Sequence, residues 1–510
     1  MRAEKPNFAI TRQRQYRGRA WRDERELGLV VPESFVRGIR HIGYKSNVEA
    51  LAELIDNSIQ AYAEHVELVF GYSEAGSAAK PQQLAVIDDG YGMEPQMLRV
   101  AMMWGGTHRE NDRSGLGRFG YGLPCATVSI GRRFTIYSKK QGGECYSVSL
   151  DLELLDAGAY NINGSGVAVP NAQPAAPPSF VVEAIERRYP NGWDSGTIVV
   201  IDKLDRLDWA TAMGLRRNLV RHFGVTYHKL LAAVSIHIDG EEVRPIDPLF
   251  LDPQGEFHAL DCDRAQALDP MTLTIDCGDG VSGDLSLRYS WLPPTFGATD
   301  KSRDAAGLNA NARFPIIKAY HGLVFSRNGR VIDVQSRTPW TTFINNDRYI
   351  RVEVEFSATL DEAFGVTTSK QQVTLSPEIW DRLQTAGLQK AIEHLRSKVR
   401  MAKAERQKNA LNLAAPNGAD ILTCEEKVAQ NVEGVVTEAP PESHSIRDKL
   451  TPLVKGTIEI ADDSHALSAL LRRIERRALK GDPKIAAEYL RLLKGWIREM
   501  ARVSNSRVSK

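Results

Sequence analysis

The sequence is poor in cysteine, with five in 510 residues (Cys125, Cys145, Cys262, Cys277 and Cys424). None sits in a C-x-x-C pair or has a histidine at metal-ligand spacing. This argues against a disulfide scaffold or a zinc site, and for reduced thiols in a cytosolic compartment. No apolar run reaches the roughly 18 residues that crossing a bilayer requires. The opening stretch MRAEKPNFAITRQRQYRGRAWRDERELG has no apolar core like that of a signal peptide. A cytoplasmic protein without membrane contact is therefore expected. Neither sign of charge dominates: 65 Lys and Arg stand against 64 Asp and Glu, a net charge of +1. No global field draws the chain to nucleic acid or anionic lipid, so any such binding is local.

What is present is an ordinary soluble composition, 42% hydrophobic and 25% charged, on a chain too long for one core. Residues 1–30 read as a basic N-terminal arm. Residues 31–205 alternate helix and strand: a helix over 47–64, the strand HVELVFGY, the strand and turn QLAVIDDGYGM, a helix around 95–103, then a glycine-rich stretch running into an apolar helix. The segment 157–179 is a loop by composition. A second mixed region, 206–402, opens with a helix over 208–232 and continues with strands around 272–291, 315–326 and 349–356. Ser376-Pro377 is a good helix start there. Residues 403–445 read as a linker. Residues 446–510 read as two amphipathic helices broken at Gly481-Asp482-Pro483, with basic polar faces.

Three short stretches carry the chemistry. In EALAELIDNSIQ, Leu51, Leu54, Ile55, Ile59 and Tyr62 recur at helical spacing as a buried stripe, and Glu49, Glu53, Asp56, Asn57, Gln60 and Glu64 line the other face with no Lys or Arg to balance them. Taken alone this is a solvated face. In VIDDGYGM, Asp88-Asp89-Gly90-Tyr91-Gly92 follows a strand, which alone is a tight turn needing positive φ. In GLGRFGYGL, glycines 115, 117, 120 and 122 lead into an apolar helix. Taken alone, such a run is a flexible loop.

In this order, the three stretches resemble the nucleotide-binding motifs of the GHKL, or Bergerat-fold, ATPases, the superfamily of gyrase B, MutL, the heat-shock chaperone ATPases and the sensor histidine kinases. Within it AELIDNSIQA, VIDDGYGM and GLGRFGYGL look most like the microrchidia ATPases and their bacterial relatives. The resemblance implies an α+β protein: a Bergerat-fold α/β sandwich ATPase domain at 31–205, then a transducer-like (S5-type) domain at 206–402 and C-terminal helices. It implies ATP and Mg²⁺ as ligands. Glu53 matches the general base, Asn57 the Mg²⁺ ligand, Asp56 a supporting polar position, and Asp88 the acceptor of the adenine amino group.

The resemblance further implies that Gly90, Gly92 and Met93 line the base pocket, with Thr197 of DSGTIVVID helping to hold it, and that Gly117, Arg118, Phe119, Gly120, Tyr121 and Gly122 form the lid over the phosphates. The chain departs from the microrchidia pattern at Pro124, where a lysine is expected, and Arg118, or His108 and Arg109, could supply the missing charge. FGVTTSKQQVTLSPEIW resembles the loop that transducer domains extend into the nucleotide site, which would put Lys370 on the γ-phosphate with Gln371 or Gln372 nearby. The implied activity is a Mg²⁺-dependent, ATP-hydrolysing clamp that forms a homodimer on ATP and acts on DNA or protein. A sensor-type kinase or a nucleotide switch without fast turnover are the alternatives. No helix-borne His followed by an acid precedes the pocket as a phosphoacceptor.

Overall fold

The strands of the first half lie in a sheet covered on both faces, and the runs VELVF, LAVID and TIVVID are accordingly apolar on both sides. In the computed structural model, which describes residues 14–15, 32–44, 46–72, 79–106, 120–162, 166–276, 282–301, 310–366 and 372–414, these strands are β1 (His65–Gly71), β2 (Gln83–Asp88), β3 (Gly131–Lys139) and β4 (Tyr146–Asp151). With them run β7 (Gln173–Pro174), β8 (Gly196–Leu204), β9 (Ser235–Ile238) and β10 (Glu241–Glu242), in the order β10-β9-β1-β2-β8-β3-β4-β7. A separate ladder of β5 (Asn161–Ile162) and β6 (Gly166–Val167) lies within the stretch expected to be a loop.

The helices of this half are α1 (Pro32–Ile42), α2 (Asn47–Gln60), α3 (Pro95–Ala101), α4 (Gly122–Ile130), α5 (Leu152–Asp156), α6 (Ser179–Arg188) and α7 (Ala212–Thr226). Side chains alternate between the two sides of each strand. Val66, Leu68, Phe70, Leu84 and Val86 therefore join the core formed with α2, α4 and α7. Val69, Ala85, Ile87, Ile198 and Val200 join a smaller core with Val181 and Ala184 of α6.

The first sheet does not close at 205. α7 packs its Leu215, Leu219 and Phe223 into the α2 core, and β9 pairs in parallel with β1. The change of sheet comes after Glu242. α2 is also shorter than expected. It starts at the Ser46 cap, whose side chain accepts from the Glu49 N–H at 3.3 Å, and it ends at Gln60. Tyr62 takes a φ of 58° and is 84% exposed, so it leaves the apolar stripe.

The second sheet has the order β11-β12-β15-β13-β14. Its strands are β11 (Gln266–Asp276), β12 (Ser282–Trp291), β13 (Leu323–Arg327), β14 (Arg330–Gln335) and β15 (Ile350–Phe356). Its core takes in Ile316 and Ile317 of α8 (Phe314–Ala319), Ile379 and Leu383 of α9 (Pro377–Thr385), and Leu388 to Val399 of α10 (Leu388–Ala414). Ser376 caps α9, accepting from the Ile379 N–H at 3.4 Å with Pro377 in the first turn, as the sequence predicts.

Two expectations in this half are corrected. The start of the strand expected at 315–326 is α8, opened by Pro315 in its first turn. The linker expected from 403 begins as the continuation of α10 to Ala414. Good helix formers such as Lys, Ala, Glu, Arg and Gln carry that stretch although its apolar content falls. Among the described residues no helix is long and apolar enough to cross a membrane.

Candidate active site

The middle of the polar face of α2 is buried, so it is not a solvated surface. Glu53 is 4% exposed and Asp56 0%. Four residues beyond Glu53 and one turn up the same face stands the half-buried Asn57. The Glu53 carboxylate lies against the first residue of α4: a Cβ added at Gly122 would be 2.0 Å from Glu53 Oε1. Unpaired N–H groups and the helix dipole at that end favour negative charge. Two groups that titrate near Glu53 stay neutral. Burial, and then the charge of Glu53, holds the Tyr44 hydroxyl well above its ordinary value. Burial pushes the Cys125 thiol up to about 11.

The acidic turn after β2 divides its labour. Asp89 is structural: its Oδ1 accepts from the Glu64 and His65 N–H groups at 2.9 Å each, and its Oδ2 meets His65 Nδ1. Asp88 turns inward and is 5% exposed. Its Oδ1 accepts the N–H groups of Gly90 and Thr197, each at 3.0 Å, and its Oδ2 accepts the Ser58 hydroxyl at 2.9 Å. Ser58 follows Asn57 on α2, so this bond joins the acidic turn to the polar helix.

The floor continues through Ser138, whose hydroxyl accepts from the Met93 N–H at 2.8 Å, donates to the Gly196 carbonyl at 2.8 Å and lies 3.1 Å from Thr197 Oγ1. Gly90 and Gly92 are required by space. A Cβ at Gly90 would meet Ala61 at 2.7 Å, and Gly92, at φ +67°, would drive one to 2.0 Å from the Lys139 carbonyl.

Burial raises the Asp88 carboxyl from 3.8 to about 6 against its three hydrogen bonds. The folded state then holds this proton more tightly than the unfolded chain. The contribution to stability is full below pH 3.8 and is lost as pH rises through about 6. Asp88→Asn keeps the bonds: the amide oxygen accepts from Gly90 and Thr197, the amide nitrogen donates to Ser58, and Ser58 donates to the Leu54 carbonyl, which it already reaches at 3.2 Å. The variant should gain up to about 3 kcal/mol relative to wild type at pH 8 and nothing at pH 4, read from urea midpoints. An equal effect at both pH values would show that the carboxylate carries no burial cost.

Glu53, Asn57, Asp88, Gly90, Gly92, Met93, Gly122 and Thr197, the residues expected at the site that the structure describes, lie on these adjoining elements. Gly120, at φ +69°, has its carbonyl bonded by the Gly105 N–H at 3.0 Å, and Tyr121 is the half-exposed residue before α4. Pro124 is the third residue of α4, where no helical N–H is needed. Gly115, Gly117, Arg118, Phe119, His108, Arg109, Lys370 and Gln371 lie outside the described residues. Gln372 is exposed.

Asp56 is a correction. It turns away from the acidic turn toward α7 and β14, accepting at Oδ1 from Arg330 Nε at 2.8 Å and from the Tyr227 hydroxyl at 3.0 Å. Sequence reasoning missed Ser58, Ser138 and Arg330. For Arg330 the signal was present: Asn328-Gly329, between apolar runs, marks a two-residue hairpin, and both residues have positive φ (47° and 82°).

The architecture has counterparts. Residues 44–169 match the family described as "Histidine kinase-, DNA gyrase B-, and HSP90-like ATPase". Protein MICRORCHIDIA 6 of Arabidopsis thaliana is 28% identical over 103 residues, which is 20% of this chain and 15% of that protein. ATPase MORC2 of Homo sapiens is 31% identical over 94 residues, 18% of this chain and 9% of that protein. The chain thus spans less than a sixth of the length of either. Helix, acidic turn and glycine-led α4 all lie within the matched span, and it is over this span that the chain is similar to the GHKL ATPases.

Proposed function

We propose that this chain binds Mg·ATP between α2, the Asp88 turn and α4, and hydrolyses it to ADP and phosphate. The observation that supports this best is the Asp88–Ser58 bond together with the contact of Glu53 on Gly122. They set α2, the Asp88 turn and the start of α4 side by side, with two buried carboxylates and a backbone surface that has no room for a Cβ. Adenine suits the Asp88 carboxylate, which is ionised above pH 6 and can accept from the exocyclic amine. Guanine presents a carbonyl there. Gly90 and Gly92 let the base approach the backbone, with Met93 and Thr197 beside it. The polypeptide N–H groups at Gly120, Tyr121 and Gly122 suit phosphate oxygens.

Glu53 has the role of general base, holding and removing a proton from the attacking water. The Asn57 amide oxygen is the proposed Mg²⁺ ligand, a hard donor that suits an ion retaining several waters. When bound, the ion neutralises charge on the phosphates. Gly117, Arg118 and Phe119 belong to the proposed lid, and Lys370 is the proposed contact to the γ-phosphate.

The second α+β region is proposed as a transducer, and the whole as a clamp that closes into a homodimer on ATP and opens after hydrolysis. Duplex DNA is its proposed client, drawn by local basic surface such as the exposed Lys398, Arg400 and Lys408 of α10. Sedimentation with a non-hydrolysable ATP analogue should give a dimer, and with ADP a monomer. DNA affinity should fall steeply between low and physiological salt. A monomer in both nucleotide states would remove the clamp. An absent or salt-independent DNA affinity would remove DNA as the client.

A further inference from the structure

Arg330 is a cation buried between two sheets, and its partner lies 274 positions earlier in the chain. It is 5% exposed, and its Nε donates to Asp56, which is 0% exposed. Burial alone would lower the pKa of the guanidinium. The charge of Asp56, its hydrogen bond and the charge of Glu53 more than offset this and hold it above its ordinary value. Arg330 is therefore charged, and it lies within electrostatic reach of Glu53 as well as of Asp56.

The mounting of Arg330 is rigid. It follows the two-residue turn between β13 and β14. Before that turn, Arg327 grips Asp361 with two bonds of 2.6 and 2.7 Å. At the turn, the Asn328 N–H donates to the Phe356 carbonyl at 3.1 Å and the Asn328 side chain accepts from the Ala358 N–H at 3.1 Å. The hairpin is thus fixed to the C-terminal end of β15, and Lys229, just past α7, ties to Glu353 and Glu355 of β15 at 2.8 and 2.7 Å.

On the other side of the pair, the Tyr227 hydroxyl donates to the Ala52 carbonyl at 2.8 Å and meets Asp56 Oδ1 at 3.0 Å. Ala52 and Asp56 bracket Glu53 within one helical turn. Arg330 from the second sheet and Tyr227 from α7 therefore hold the turn of α2 that carries the carboxylate, one on its charge and one on its backbone.

A buried ion pair is weak evidence for stability, since apolar residues of similar size often serve as well, and its better-attested use is to set register. Displacing a reacting group by about 1 Å can cost on the order of 100-fold in rate. We propose that Arg330 is a positioning residue: by pairing with Asp56 it sets the orientation of the α2 turn, so that Glu53 is correctly placed only while the second sheet is docked on the ATPase domain. The inference rests on the ATPase reading above and adds that hydrolysis, more than nucleotide binding, depends on this joint.

The test uses the full chain. Removing one partner would leave a buried charge unpaired, so the informative variant is the double Asp56→Asn with Arg330→Met, which removes both charges and leaves Tyr227 a partner at position 56. A merely structural pair would be replaced without loss of turnover. The expected result is a melting temperature near wild type, affinity for a non-hydrolysable ATP analogue within about threefold, and kcat lowered about tenfold or more with KM little changed.

Arg330→Lys, which keeps the charge and loses the planar fork, should fold and give an intermediate kcat at unchanged KM. Wild-type kcat in the folded double variant or in Arg330→Lys would overturn the inference, as would equal losses of kcat and nucleotide affinity. Absence of turnover in the wild type would instead remove the ATPase reading beneath it.

Discussion

Glu53→Gln is expected to lower the kcat for ATP hydrolysis by about 10²- to 10⁴-fold, the range that a general base contributes, while ATP affinity stays within a few-fold of wild type. The substitution is nearly isosteric and removes a buried charge, so the fold should survive it. What it removes is the only group of this turn placed both against α4 and on the same face as Asn57. Asp56, three residues on, cannot replace it, because its carboxylate is held by Arg330 and Tyr227. Single-turnover hydrolysis beside equilibrium binding of an ATP analogue separates the two effects. A parallel fall in affinity and rate would assign Glu53 to binding and contradict the role of base.

Gly122→Ala should have a comparable effect on turnover through a different cause. The new methyl would stand 2.0 Å from Glu53 Oε1, 2.7 Å from Cδ and 2.9 Å from Cγ, so the side chain must turn away. The clash is with the far end of a flexible side chain, and alanine is a better helix former than glycine, so little stability should be lost. The expected result is a melting temperature within a few degrees of wild type with kcat reduced about 100-fold or more, as displacement of a catalytic group by 1 Å or so can do. A variant as active as wild type would show that Glu53 works from another position.

How much of this was legible in the sequence depended on whether the cause was local. The runs VELVF, LAVID and TIVVID are strands buried on both faces, and they fall where β1, β2 and β8 are found. The Ser376 cap is a local signal too, and it holds. The polar side of α2 could be read as one wall of a site only because three motifs stand in order. The partner of Asp56 could not be read, since the arginine that claims it arrives from β14.

That the first sheet continues past 205 was hidden for a similar reason. After β8 the chain continues into α7, which returns to the same core, and β9 finds its partner in β1, far earlier in the sequence. Neither step leaves a mark in composition. The α10 extension beyond 402 failed differently: low apolar content there signals exposure, and an exposed helix of good formers was mistaken for a linker.

The most direct test of the central claim, that α2, the Asp88 turn and α4 form one ATP-hydrolysing site, is steady-state phosphate release from ATP by the wild-type chain with and without Mg²⁺, beside Glu53→Gln. The account predicts phosphate and ADP in equal amounts from the wild type, only with Mg²⁺, and no release above background from the variant although it still binds the nucleotide. Release that persists in Glu53→Gln, or a wild type that binds ATP and never releases phosphate, would contradict it.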